Sequence, residues 1–170
     1  MGAEYFSTYQ EGLDVREAFQ AAAETARDEH GSRGYTGTIA EKNSYEIASR
    51  TPLPLEEAER LAGELAETTF SDKHGPAGAI AVLTDRRTVR TTFGESSPAF
   101  RGFKNLEEAA VAGLTATGQL REGERPAYGI QGAYNVHARS GRPLSGELLV
   151  PLEGGPPDHH GWLFFGYASY

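Results

Sequence analysis

The segment Trp162–Tyr167, WLFFGY, gives a strand no polar side. Side chains alternate across a strand, so Trp162, Phe164 and Gly166 point one way and Leu163, Phe165 and Tyr167 the other. Both sets are apolar. Such a strand is expected to be central, or covered on both faces, because an open face would expose a patch suited to self-association or a partner. The rest of the chain has to supply that cover.

Three amphipathic helices are available for it. The first is predicted from Val15 to Glu29, opened by Asp14 and Glu17, with Val15, Phe19, Ala22, Ala23 and Ala26 on one face. Glu17, Glu24 and Asp28 fall on its wetter side. The second is predicted over Leu55–Phe70, with Leu55, Ala58, Leu61, Ala62 and Leu65 as its stripe. The third starts after Asn105, an N-cap with Glu108 at the matching position, turns Leu106, Ala109, Ala110 and Leu114 inward, and stops near Gly118.

Strand-like runs lie between them: EYFSTYQ, TIA and SYEIA, then GAIAVL and TVRTTF flanking TDRR as a hairpin. AYGIQGAYNVHAR is long and interrupted by glycines, which predicts a bulge or bend. GELLVPL and GWLFFGYAS are expected to close the chain as a second hairpin, joined by a flexible loop at about 153–161. This order predicts one α+β domain over residues 1–170, a mainly antiparallel sheet with about three helices packed on one face.

A chain of 170 residues is long enough for a hydrophobic core. Cysteine is absent, which excludes disulfides, thiolate catalysis and cysteine-based metal centres. The net charge of −8 argues against non-specific nucleic-acid binding, while leaving room for a small basic site in an acidic protein. No signal peptide and no membrane-length apolar run are read from the sequence, so a cytoplasmic setting is expected. The pair His159–His160 in DHHG lacks a third ligand nearby, and neither a metal nor a cofactor is expected.

The segment Gly31–Lys42, GSRGYTGTIAEK, is the main candidate for function. Its glycines follow a helix instead of preceding one, and their spacing is neither G-x-G-x-x-G nor a phosphate-loop pattern. His30–Gly31 and His74–Gly75 both look like helix stops. A cap accounts for Gly31 but not for the rest. A loop with successive free amides can bind an anion as a backbone nest. In that reading the amides around Gly34 and Gly37 bind oxygens, with Thr36 and Thr38 beside them. Arg33 and Lys42 supply charge, and Tyr35 a stacking face. A second constellation pairs His137 and Glu41 as acid and base with Arg139 as charge stabiliser, His137 and Arg139 sharing a strand face. No G-x-S-x-G element anchors a serine triad.

GYTGTIAEK after an alanine-rich helix ending in EHG, together with the C-terminal FFGYAS, resembles a small uncharacterised family of phage and prokaryotic genomes. The resemblance implies a virus- or mobile-element-linked protein, for which host interference is a natural role, and it carries over no site residues. Three expectations follow. The first is a non-enzymatic binding protein, of phage counter-defence type, that captures a small anionic nucleotide-like ligand or a host protein. The second is an enzyme acting on a nucleotide-like substrate through His137 and Glu41. The third is a structural, virion-associated protein forming a homo-oligomer through its aromatic end.

Overall fold

A computed structural model describes residues 2–170. The fold is mixed α+β and mostly antiparallel, as expected, but the chain divides into two compact units and builds two sheets. The first unit runs to Thr84 and resumes over Asp158–Tyr170; the second is Asp85–Pro157.

In the first unit β1 (Ala3–Glu11) is followed by α1 (Val15–His30), β2 (Tyr45–Pro54), α2 (Leu55–Ala66) and β3 (Ala77–Thr84). The last strand, β8 (Asp158–Ser169), returns to complete it. The sheet order is β1-β8-β3-β2, with β8 antiparallel to both neighbours and β2 parallel to β3. β8 is thus interior to the sheet, as its two apolar faces require. Trp162 and Phe164 pack with Phe19, Ala22 and Ala26 of α1 on one side. Leu163 and Phe165 pack with Ala58, Ala62 and Ala66 of α2 on the other. The two helices therefore cover opposite faces of this sheet instead of sharing one. Trp162, Leu163, Phe164 and Phe165 are thereby buried on both faces of the sheet, while Tyr170 at the end of the chain is exposed.

Small residues set these contacts. The fully buried side of α2 is Ala58, Ala62 and Ala66, while Leu55 is exposed and Leu61 and Leu65 are only partly buried. Alanines at intervals of four let the helix axis approach the sheet, and the leucines flank that line of contact. Opposite them, Gly78 pairs with Phe165 across the strands, and a Cβ built at Gly78 would fall on the Phe165 ring. Phe165 is fully buried and held edge-on by Phe70 at 5.1 Å, so it has no room to yield. Gly78→Ala is expected to destabilise the protein by about 1–3 kcal/mol through overpacking, measurable as a shift of the urea midpoint at unchanged slope.

The second unit contains β4 (Arg87–Gly94), α3 (Leu106–Ala116), β5 (Arg125–Pro126), β6 (Gln131–Val136) and β7 (Pro143–Glu153). β7 is its central strand, with β4 on one side and β5 and β6 on the other, all antiparallel. Leu148, Val150 and Leu152 of β7 join Phe93 and the α3 residues Ala109, Ala110 and Leu114 in a separate core. Asn105 caps α3, accepting from the Glu108 amide at 2.8 Å, as its sequence predicts.

Both expected hairpins are overturned. β3 pairs with β2 and β8, whereas β4 pairs with β7; likewise β7 and β8 belong to different sheets. The TDRR and EGGPP segments are instead the two places where the chain passes between units. The physical reason lies in burial: the apolar run of β3 and the core of β8 are buried on both faces, while β4 and β7 alternate between buried and exposed. A strand needing cover on both faces and one needing it on a single face do not suit the same sheet position. Further corrections are local. TIA forms a 3₁₀ turn, Ile39–Glu41, in place of a strand. The long run at 127–139 shortens to β6, with Gly132 giving no room for a side chain against Glu147 and Leu148. The loop before β8 is only 154–157, since Asp158, His159 and His160 are already strand residues.

Candidate functional site

The glycine-rich segment starts as expected and then departs from expectation. Gly31 (φ 87°) closes α1, its amide donating to the Arg27 carbonyl at 2.8 Å. Gly34 and Gly37 also take positive φ, and Tyr35 (φ 61°) is the only non-glycine in that region among the described residues. The loop does hold an anion, but the anion is its own. Oε1 of Glu41 accepts from the Thr36 amide at 3.1 Å and from the Thr36 hydroxyl at 3.0 Å. The Thr36 and Thr38 hydroxyls lie 2.8 Å apart, and Thr38 Oγ1 caps the 3₁₀ turn by accepting from the Ala40 amide. The Gly37 amide donates to the Ser169 carbonyl at 2.8 Å, tying the loop to the end of β8. Of the amides around Gly34 and Gly37 expected to form a nest, those of Thr36 and Gly37 are therefore already satisfied inside the protein.

Lys42 is corrected outright. It is buried, and its Nζ donates to the carbonyls of Gly75, Lys73 and Asp72 at 2.9, 3.1 and 3.3 Å. An ammonium has three protons, and all three are used. Burial pushes its pKa below the ordinary lysine value, opposed by the nearby Asp72 carboxylate. This arrangement also replaces the second helix stop: α2 ends at Ala66, and His74–Gly75 belong to the turn that wraps the Lys42 ammonium. Arg33, Gly34 and Tyr35 remain exposed, Tyr35 at 57%.

The alternative acid–base set loses its geometry as well. His137 and Arg139 are not strand neighbours but lie in the β6–β7 turn, where His137 donates its amide to the Arg142 carbonyl at 2.8 Å. His137 Nδ1 accepts from the amides of Arg139 and Ser140 at 3.3 and 3.1 Å. The His137 ring is thus engaged within the second unit, and Glu41 with Thr36 within the first.

A groove of about 670 Å³ lies beside this loop in sequence, between α1 and the segment 42–45. Phe19, Ala23 and Tyr45 give it an apolar lining, the Phe19 and Tyr45 rings packing at 5.1 Å. Arg16, Gln20, Glu24 and Arg27 line it from exposed positions of α1, and Asn43 and Ser44 from the opposite side. Among the described residues neither Arg16 nor Arg27 has a carboxylate within ion-pair distance. Eleven residues separate them, about 16 Å along a helix. The expectation treated α1 only as a core helix with acidic residues on its wet side. The missed signal was Arg16, Gln20 and Arg27, spaced by four and seven residues on one helical face.

Among the described residues no cluster of three or more His, Cys, Asp or Glu is placed to hold a metal ion, and no helix is long and apolar enough to cross a membrane. Comparison with protein-family models, curated proteins and solved structures returned no match. The functional reading therefore rests on residues alone.

Proposed function

We propose that this chain is a non-enzymatic binding protein that takes a small anionic, nucleotide-like ligand in the α1 groove. The observation that carries the reading is the pairing of two unengaged guanidinium groups with an aromatic lining in one concave site. Its volume falls within the range of small-molecule pockets, about 300–1,000 Å³. A phosphate pairs with an arginine through parallel hydrogen bonds, a flat base lies against Tyr45, and Glu24, Gln20 and Asn43 offer hydrogen-bond partners for its edge. The groove departs from the triple-glycine segment as the site while keeping its chemistry. Sequestering a nucleotide-like ligand would serve a counter-defence role of the kind the phage-type resemblance implies.

The test is isothermal titration against a panel of mono- and dinucleotides, with the ligand recovered after denaturation. Binding is expected for at least one of them, with recovery unchanged. The double variant Arg16→Ala/Arg27→Ala is expected to weaken it tenfold or more, whereas Arg33→Ala leaves it unaltered. Absence of binding across the panel, or equal affinity in the double variant, overturns the groove. Recovery of a converted product overturns the non-enzymatic reading.

A further inference from the structure

The charge of the chain is unevenly shared. The first unit holds 16 acidic and 7 basic residues, and the second 8 acidic and 9 basic, so the net −8 divides as −9 and +1. The case against nucleic acid made from net charge therefore applies to the first unit and not to the second.

Three of the nine basic residues of the second unit lie on two stretches that meet. The turn joining β6 to β7 carries Arg139 and Arg142, and the segment before α3 carries Arg101. These two stretches are tied together: Ser140 Oγ donates to the Arg101 carbonyl at 2.7 Å, and the Phe103 amide donates to the Pro143 carbonyl at 2.8 Å. Gly102 is held so close to Arg142 that a Cβ there would come within 2.5 Å of the Arg142 Cβ. All three arginines are exposed, and among the described residues none has a carboxylate within ion-pair distance. Arg101 donates one hydrogen bond, to the Pro98 carbonyl, and the Arg139 and Arg142 side chains make none.

Aromatic rings accompany them. Phe100 packs on Phe103 at 4.8 Å, Phe103 on Phe93 at 5.6 Å, and Phe93 faces Tyr134 at 6.5 Å. Tyr134, three residues before the basic turn, is 40% exposed. Free cations with a partly open aromatic edge are what unpaired bases on a phosphate backbone require: arginines track the phosphates and a ring takes a base face. An acidic peptide would use the arginines but not the rings.

We propose that this part of the second unit, built from Arg101, Arg139, Arg142 and Tyr134, binds single-stranded nucleic acid without sequence preference. The site is independent of the α1 groove. Three phosphates neutralised on a single strand correspond to a slope of about −2 in log K against log salt.

Fluorescence anisotropy of the full chain with a labelled twenty-nucleotide oligo-dT tests this, with the same strand as duplex and a polyglutamate peptide as competitors. The expected result is saturable, salt-sensitive binding of the single strand, weakened at least tenfold by Arg139→Glu and by Tyr134→Ala. The triple variant Arg101→Ala/Arg139→Ala/Arg142→Ala should flatten the salt slope. Arg139 sits in an exposed turn, so its substitution leaves the fold intact, checked by circular dichroism, and Arg16→Ala/Arg27→Ala should bind the strand as before. Absence of binding at low salt, or binding indifferent to Arg139→Glu, overturns the proposal. Equal affinity for duplex overturns the role of unpaired bases, and equal competition by polyglutamate assigns the surface to an acidic protein instead.

Discussion

Lys42→Met is expected to destabilise the first unit by about 3 kcal/mol, seen as a lower urea midpoint followed through Trp162. Methionine fills nearly the same volume, so the effect is electrostatic and not a cavity. The wild-type ammonium serves three carbonyls, those of Asp72, Lys73 and Gly75. Removing the donor leaves them without it, at about 1–3 kcal/mol for each that water cannot reach. Against this stands the desolvation cost that lowers the Lys42 pKa and disappears with the charge. Several orphaned acceptors outweigh one relieved ion. Trp162 is a suitable reporter because it lies in the same core as α1 and donates its indole NH to the Leu13 carbonyl at 3.0 Å. The loss should appear first as faster hydrogen exchange at residues 72–77. A midpoint equal to wild type would mean that the turn closes equally well without its cation.

Glu124→Gln should cost the second unit about 3 kcal/mol at neutral pH, and the cost should shrink in acid. Glu124 is buried and receives both prongs of Arg87, Nε at 2.8 Å and a terminal nitrogen at 2.7 Å, with the Arg121 amide adding a bond at 2.7 Å. The other role of Arg87 is to hold the Gln119 carbonyl at 2.7 Å, so the pair fixes the 119–124 turn against β4. Taking the charge from one partner of such a largely buried pair costs about 3–5 kcal/mol. Hydrogen bonding from Arg87, with help from the Arg121 amide, holds the carboxyl below its ordinary pKa of 4.5, against the opposing effect of burial. A depressed carboxylate stabilises the fold fully above its unfolded value, and that contribution is lost as pH falls through the folded one. The difference between wild type and variant should therefore begin to shrink as pH falls through the ordinary value of 4.5 and vanish only below the depressed folded value, where both carry a neutral side chain. Hydrogen exchange at β4 and β7 amides measures this. A difference independent of pH would place the effect in shape and not in charge.

Lys42 also marks the limit of what local sequence specifies. As a charged residue after a glycine-rich loop, it suits an anion ligand by sequence. Its burial depends on a turn 30 residues away, and local sequence has no record of that approach. Glu41 drew notice as a base, yet it is the internal occupant of the loop's amides. Arg16 and Arg27 give no such signal, because an amphipathic pattern marks which face of a helix is wet, not what stands opposite it. The segment at 42–45 makes a groove of that wet face.

Alternation and capping are local properties, and the sequence alone determined what depends on them. The covered position of β8 follows from WLFF, the ends of α1 and α3 from Asp14, Gly31 and Asn105, and the α+β class from the order of elements. Strand partnership was decided only in three dimensions. Two runs separated by a short polar link satisfy hairpin chemistry equally well whether they pair or part. Here β3 and β8 required cover on both faces, which α1 and α2 provide, while β4 and β7 required it on one. Burial of apolar surface is a sum over the whole chain, and it overrode the pairing that the short links favoured.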